Sequence, residues 1–274
     1  MPYSTNKDIR IYYEVCGEGV PLLLIHANPF DHNLWIYQVS HFSTYFKVIA
    51  LDIRGYGRSD KPTSAFSLKD MGDDVLAVCR DEGVQEAILL GASVGSTIAL
   101  WLAIDHAEMF KALILVGGSG KASSRAQDRI RGYTELGVDK YRIQHMEALV
   151  CPEFRASPVG RYLLQTFEER NPWLSGEAIA RIFRALTEVD LVPHLAGLAL
   201  PTLVINGELD HSLPGGLCTA EMIPGAVHRI LPGTGHACCI EDPAGFDALV
   251  EAFLTEHGLM PLRRSASPRD GRKT

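Results

Sequence analysis

Residues 91 to 95 read Gly91-Ala92-Ser93-Val94-Gly95, a serine with a glycine two positions away on either side. A serine hydroxyl attacks a carbonyl carbon only when a base takes its proton and hydrogen-bond donors wait for the oxygen that turns negative. The alternative reading is an ordinary tight turn whose serine merely caps a helix. Chance alone produces such a pentapeptide in roughly one chain in ten of this length, so its flanks carry the argument. Ala87-Ile88-Leu89-Leu90 is an apolar run of strand length, and Thr97 to Ile104 is apolar on almost every face, as a buried helix is. A strand-to-helix turn this sharp brings backbones too close for Cβ atoms, and Gly91, Gly95 and the small Ser96 remove the clash.

A nucleophilic serine needs a histidine and a group to orient it. His236 follows Gly233-Thr234-Gly235 in a loop after the last strand, at the carboxyl edge where open α/β sheets gather their catalytic groups. Asp210, in Asn206-Gly207-Glu208-Leu209-Asp210, precedes it in the order Ser, Asp, His that this topology uses, and Glu208 is the competing acid. The oxyanion hole needs two backbone N–H groups. Val94 offers one from the helix amino terminus, and Asn28 is expected to offer the other, because Pro29 has no N–H. His26, which lies before that turn, is read as holding the loop, and His211 as a structural or rim residue.

These residues require a scaffold of alternating strands and helices. Ile9 to Cys16 alternates as a strand; Pro21 to Ile25, Val48 to Leu51, Ala112 to Val116 and Thr202 to Asn206 are continuous apolar runs, as in strands covered on both faces. Ala226 to Leu231 is a further strand. Ser67 with Asp70 opens a helix that Gly83 stops, and Asp242 with Pro243 opens the last one, where Phe246, Leu249, Val250, Phe253 and Leu254 face inward. The pattern predicts an α/β fold with a doubly wound, mostly parallel sheet. From about residue 119 to 196 the strands stop and the pattern is helical, with Ser175 capping a helix whose face is Ile179, Ile182, Phe183 and Leu186. The simplest division is a core of 1–118 and 197–258, an inserted helical cap of 119–196, and a basic tail of 259–274 expected to be disordered. Within the cap, Met146, Phe154, Phe167, Trp173 and Phe183 are candidates to line an apolar substrate pocket, with Tyr162 beside them.

The 274 residues are 46% hydrophobic and 22% charged with a net charge of −7, enough for a substantial core and without the basic face that nucleic acid demands. The amino terminus has no apolar leader and no run reaches spanning length, so the expectation is a cytoplasmic protein without membrane contact. Cys16, Cys79, Cys151, Cys218, Cys238 and Cys239 lack metal-ligand spacing and are read as reduced. No metal or organic cofactor is expected, the partner is a small molecule, and oligomeric state is left open.

Taken together, "LLLIHANP", "LDIRGYGRSDKP", "GASVGS", "LVINGELD" and "LPGTGHACCIEDP" resemble the α/β-hydrolase superfamily over residues 9 to 258 apart from the cap, and within it the short cap and total length resemble the carboxylesterase and enol-lactonase group, including 3-oxoadipate enol-lactonases. The resemblance implies Ser93 as nucleophile, His236 as base, Asp210 as its orienter, and hydrolysis of a small to medium ester or lactone. "HANP" is also similar to haloalkane dehalogenases, which attack with an aspartate where this chain has Ser93. Carbon–carbon hydrolases of ring-cleavage diketones and cofactor-free perhydrolases share the triad. Receptors on the same fold keep it as well and act chiefly by binding.

Overall fold

A computed structural model describes residues 3–121 and 125–261. Eight strands form one sheet: β1 (Tyr3–Asn6), β2 (Ile9–Cys16), β3 (Pro21–Ile25), β4 (Lys47–Leu51), β5 (Ala87–Ala92), β6 (Phe110–Val116), β7 (Thr202–Gly207) and β8 (Val227–Leu231), in the order β1-β2-β4-β3-β5-β6-β7-β8. β1 pairs antiparallel with β2, and β2 with β4; every other pairing is parallel. Because side chains alternate across a strand, each apolar run feeds two cores. Leu23, Leu89, Leu113 and Leu115 enter one. Leu22, Leu24, Ile88, Leu90 and Ile114 enter the other.

Helices α1 (Ile36–Phe42), α2 (Leu68–Asp81) and α3 (Val94–Asp105) follow the first strands. Ser67 and Asp70 form a reciprocal capping box at the start of α2. Between β6 and β7 the described residues form no named strand but the helices α4 (Ala126–Arg131), α5 (Gly137–Ala148), α6 (Pro152–Ala156), α7 (Pro158–Glu168) and α8 (Gly176–Thr187), with a π-helical turn at Gly132–Leu136. This is the cap. Its base is tied by a bridge between Lys121 and Asp190 and by Leu191 N donating to Gly120 O at 2.9 Å. Ser175 caps α8, and Ile179, Ile182, Phe183 and Leu186 turn inward, each contributing about 1.5–3 kcal/mol of apolar burial.

The chain ends with α9 (Leu213–Met222), α10 (Cys238–Glu241) and α11 (Pro243–Glu256), the last capped by Asp242 through Gly245 N. Leu259 and Met260 pack on the second core, and the rest of the expected tail, 262–274, lies outside the described residues. β1, α1 and α9 carry no sequence expectation. Four residues, YSTN, are too few to show alternation, and LPGGLCTAEM holds two glycines that weaken any helical signal. Among the described residues no helix is long and apolar enough to cross a membrane.

Candidate active site

β5 delivers Ser93 to the carboxyl edge of the sheet, where its N–H still donates to Val116 O of β6 at 2.8 Å. The next residue opens α3. Ser93 takes φ 51° and ψ −109°, a region that costs a non-glycine residue about 1–3 kcal/mol. Its side chain makes no capping hydrogen bond, so the helix-cap alternative is not what this serine does. The tightness of the turn is explicit in its glycines. A Cβ on Gly91 would lie 2.3 Å from Gly95 O, and one on Gly95 would lie 2.1 Å from Ile25 O. α3 therefore starts directly against the end of β3. As the first helical residue, Val94 has an N–H with no acceptor inside the helix.

His236 Nδ1 lies 2.8 Å from Asp210 Oδ1, and both side chains are buried. That carboxylate is held on every side. Oδ1 also accepts from Ser212 N at 2.8 Å, while Oδ2 accepts from Ser212 Oγ at 2.7 Å and Asn206 Nδ2 at 2.8 Å. Burial alone would raise its pKa, but the His236 charge and these hydrogen bonds together hold it well below the usual carboxylate range. With Nδ1 engaged, the ring's free nitrogen is Nε2, on the opposite edge. Glu208, the competing acid, instead accepts from Gly233 N at 2.8 Å. The His211 ring lies against that of His236, tilted by 35° with centroids 5.0 Å apart, and burial followed by the His236 charge lowers its pKa to about 4.

Ser93, Val94 and His236 line one cavity of about 90 Å³ with Gly117, Gly118, Ser119 and Ser212 on the core side and Phe183 and Leu186 of α8 as its roof. A hollow of about 540 Å³ adjoins it, sharing Ser119, Lys121, His211 and Ser212. Among the described residues the Ser93 hydroxyl makes no hydrogen bond, and it shares this cavity with His236. Asn28 sits on the loop leaving β3, which approaches Gly95, and does not itself line the cavity.

Of the five cap residues expected to line the pocket, the structure brings only Phe183 to it. Met146, Phe154 and Phe167 pack into the second core instead, Phe167 edge-on to Phe30 at 4.9 Å, because the inner faces of their helices rest on the core rather than over the serine. Trp173 is 69% exposed and lines a separate hollow beside His32 and Arg58, and Tyr162 is exposed. Sequence reasoning missed Ser212 and Asn206, which brace Asp210, and a buried group around Asn28: Tyr56, Tyr133, Arg142 and His145. His26 holds its loop as expected. Its Nδ1 lies 2.9 Å from Ala27 O, and its Nε2 accepts from Ile53 N at 3.0 Å.

Two clusters among the described residues bring three possible metal-ligating atoms within 4.8 Å, Asp210–His211–His236 and Asp31–His32–Asp52. In both, hydrogen bonds already engage the central atoms: Asp210 as above, and His32 Nδ1 to Asp52 Oδ1 at 2.7 Å. Cys238 and Cys239 are buried behind His236, and burial pushes both thiols far above their ordinary pKa, away from thiolate chemistry.

The chain belongs to the alpha/beta hydrolase fold family, whose pattern matches residues 20–243. It is a hydrolase. It is 28% identical to the AB hydrolase superfamily protein YisY of Bacillus subtilis, over 91% of this chain and 97% of that one. It is 27% identical to 3-oxoadipate enol-lactonase 2 of Acinetobacter baylyi, over 91% and 95%. The enol-lactonase structure from Burkholderia xenovorans LB400 superposes with a TM-score of 0.86 at 24% identity, covering 93% of this chain and all of the other, a likeness of fold alone.

Proposed function

We propose that the protein hydrolyses small carboxylic esters or lactones through an acyl-enzyme. The observation that carries the reading is an Asp210-bound His236 sharing a cavity with a serine held at positive φ on a strand-to-helix turn. Ser93 Oγ attacks the carbonyl carbon as His236 Nε2 takes its proton, and the carbonyl π pair becomes the oxyanion, for which Val94 N–H at the cavity and Asn28 N–H on the adjoining loop are the assigned donors. Collapse breaks the C–O bond to the leaving alkoxide, which receives the proton from His236. Water, deprotonated by the same nitrogen, then attacks the acyl-enzyme, and Ser93 Oγ leaves with that proton. Every role is filled by this chain's own groups.

The dimensions narrow the substrate. A cavity of about 90 Å³ holds the volume of about three waters, which suits a short acyl chain, and the larger adjoining hollow suits the leaving group or the remainder of a lactone. The test is a panel of p-nitrophenyl esters of increasing acyl length with simple lactones, on wild type and Ser93→Ala. Turnover peaking at the short acyl chains and lost in Ser93→Ala is expected. Negligible turnover across the panel would move the reading to carbon–carbon hydrolysis or ligand sensing, and equal rates in Ser93→Ala would end it.

A further inference from the structure

Arg142 is 1% exposed, yet among the described residues no carboxylate pairs with it. A buried cation without a counterion is costly, and a fold selected for stability alone does better with packed apolar side chains there. What the guanidinium does touch is informative. Its Nε donates to Pro29 O at 2.8 Å, and Nη1 donates to Phe167 O and to Asn171 Oδ1. One end of this contact is the residue after Asn28, and the other is the cap.

One helical turn further along α5 is His145, 4% exposed, which meets the same loop from the same face. Asn28 Oδ1 accepts from the hydroxyls of Tyr56 and Tyr133, the latter at 3.1 Å, so Asn28 Nδ2 is the atom that faces His145 Nδ1 at 3.2 Å. His145 Nδ1 must then be the unprotonated acceptor. Burial, then the charge of Arg129, holds its pKa well below the ordinary value and keeps that acceptor in place at neutral pH. Tyr133 itself belongs to the π-helical turn Gly132–Leu136, a widened turn of the kind that recurs at functional sites.

Resting on the acyl-enzyme reading above, we propose that Arg142, His145 and Tyr133 are positioning residues that lock the Asn28–Pro29 loop from the cap, so that seating of the cap sets the geometry of the oxyanion donor. A donor is useful only at hydrogen-bond distance from where the negative oxygen will be, and a shift of about 1 Å costs on the order of a hundredfold in rate. Cap and catalytic loop thus form one mechanical unit.

The test uses Arg142→Met and Tyr133→Phe in the full-length protein. It reads kcat and KM on p-nitrophenyl acetate, thermal stability, and the inhibition constant of a trifluoromethyl ketone, whose carbonyl carbon bonds to Ser93 Oγ and leaves a negative oxygen in the hole. Arg142→Met is expected to lower kcat about 10- to 100-fold with KM changed by less than about threefold, and to weaken the ketone by a similar factor. Tyr133→Phe should move both in the same direction by about three- to tenfold. Should Arg142→Met fail to fold, Tyr133→Phe decides by the same two readouts. Thermal stability falling while kcat and ketone affinity stay at wild-type values would mark these residues as structural and overturn the proposal. Loss of activity in Ser93→Ala alongside that result would leave the acyl-enzyme standing, whereas an active Ser93→Ala would remove the reading beneath both.

Discussion

Replacing Asp210 by Asn changes one atom and sets the His236–Asp210 contact against itself. In the wild type both carboxylate oxygens only accept: Oδ1 from His236 Nδ1 and Ser212 N, Oδ2 from Ser212 Oγ and Asn206 Nδ2. An amide nitrogen in the Oδ1 position would face two N–H donors. In the Oδ2 position it would face the Asn206 amide. In the first orientation His236 Nδ1 must become an acceptor, which moves its proton to Nε2, the nitrogen that the proposed mechanism needs free to take the proton of Ser93. In the second the tautomer survives, but Asn206 Nδ2 loses its acceptor on residue 210 and keeps only Ser212 Oγ at 3.2 Å, at a cost of about 1–3 kcal/mol, and the negative charge that would stabilise an imidazolium is gone in either case. The expected loss in kcat at neutral pH is about 10⁴-fold, or about 5 kcal/mol of transition-state stabilisation. Steady-state hydrolysis of a short nitrophenyl ester measures it, with Glu208→Gln as the control, since Glu208 bonds Gly233 N and not the histidine. An Asp210→Asn enzyme within tenfold of wild type, or a Glu208→Gln enzyme as crippled as the aspartate variant, would refute the assignment of the acid.

Two further outcomes follow from the same geometry. Gly95→Ala places a methyl 2.1 Å from Ile25 O, so chemical denaturation should show a loss of at least the about 1–3 kcal/mol of an overpacked core; wild-type stability would contradict the close approach of α3 to β3. Burial holds His26 below its ordinary pKa against the raising effect of Asp52, and burial with the charge of Arg129 holds His145 below its own. Their stabilising contribution is therefore complete above about pH 6.5 and is lost as pH falls, each by up to about 1.4 kcal/mol per pH unit. His32 works in the opposite direction, because the hydrogen bond and charge of Asp52 outweigh its burial and raise its pKa, so its contribution is lost as pH rises. His211 and His228 are lowered as well, burial being the first cause in both, so lowered histidines outnumber the one raised and stability should fall from pH 7 to 5, less steeply in His145→Gln; unchanged pH dependence in that variant would show that His145 is not the neutral buried group described.

How much of this was legible in the sequence follows from which interactions are local. The strands could be read because a run such as Leu22 to Ile25 is buried on both faces, and Ser67, Ser175 and Asp242 could be read because a cap bonds its own helix two or three residues on. Ser93 directly follows β5, and Asp210 and His236 stand in the loops after β7 and β8, so the topology that orders the strands also brings the three to one edge. The cap defied that logic. An amphipathic face says that Phe154 and Phe167 are buried but not against what, and they turned out to serve the core beneath α1 and α11 rather than the cavity. Arg142 and His145 were invisible for the complementary reason. Polar residues on a helix read as solvated, and only the three-residue spacing of the two with Met146 beside them hinted that α5 buries a polar face.

The central claim is that Ser93 Oγ is the atom that becomes acylated, and the most direct measurement is covalent trapping. Treating the protein with a fluorophosphonate and mapping the adduct by peptide mass spectrometry should give one modified residue, Ser93, with labelling slowed in His236→Ala by about the same factor as ester turnover. Modification at another residue, or a wild-type protein that stays unlabelled while it hydrolyses esters, would contradict the account.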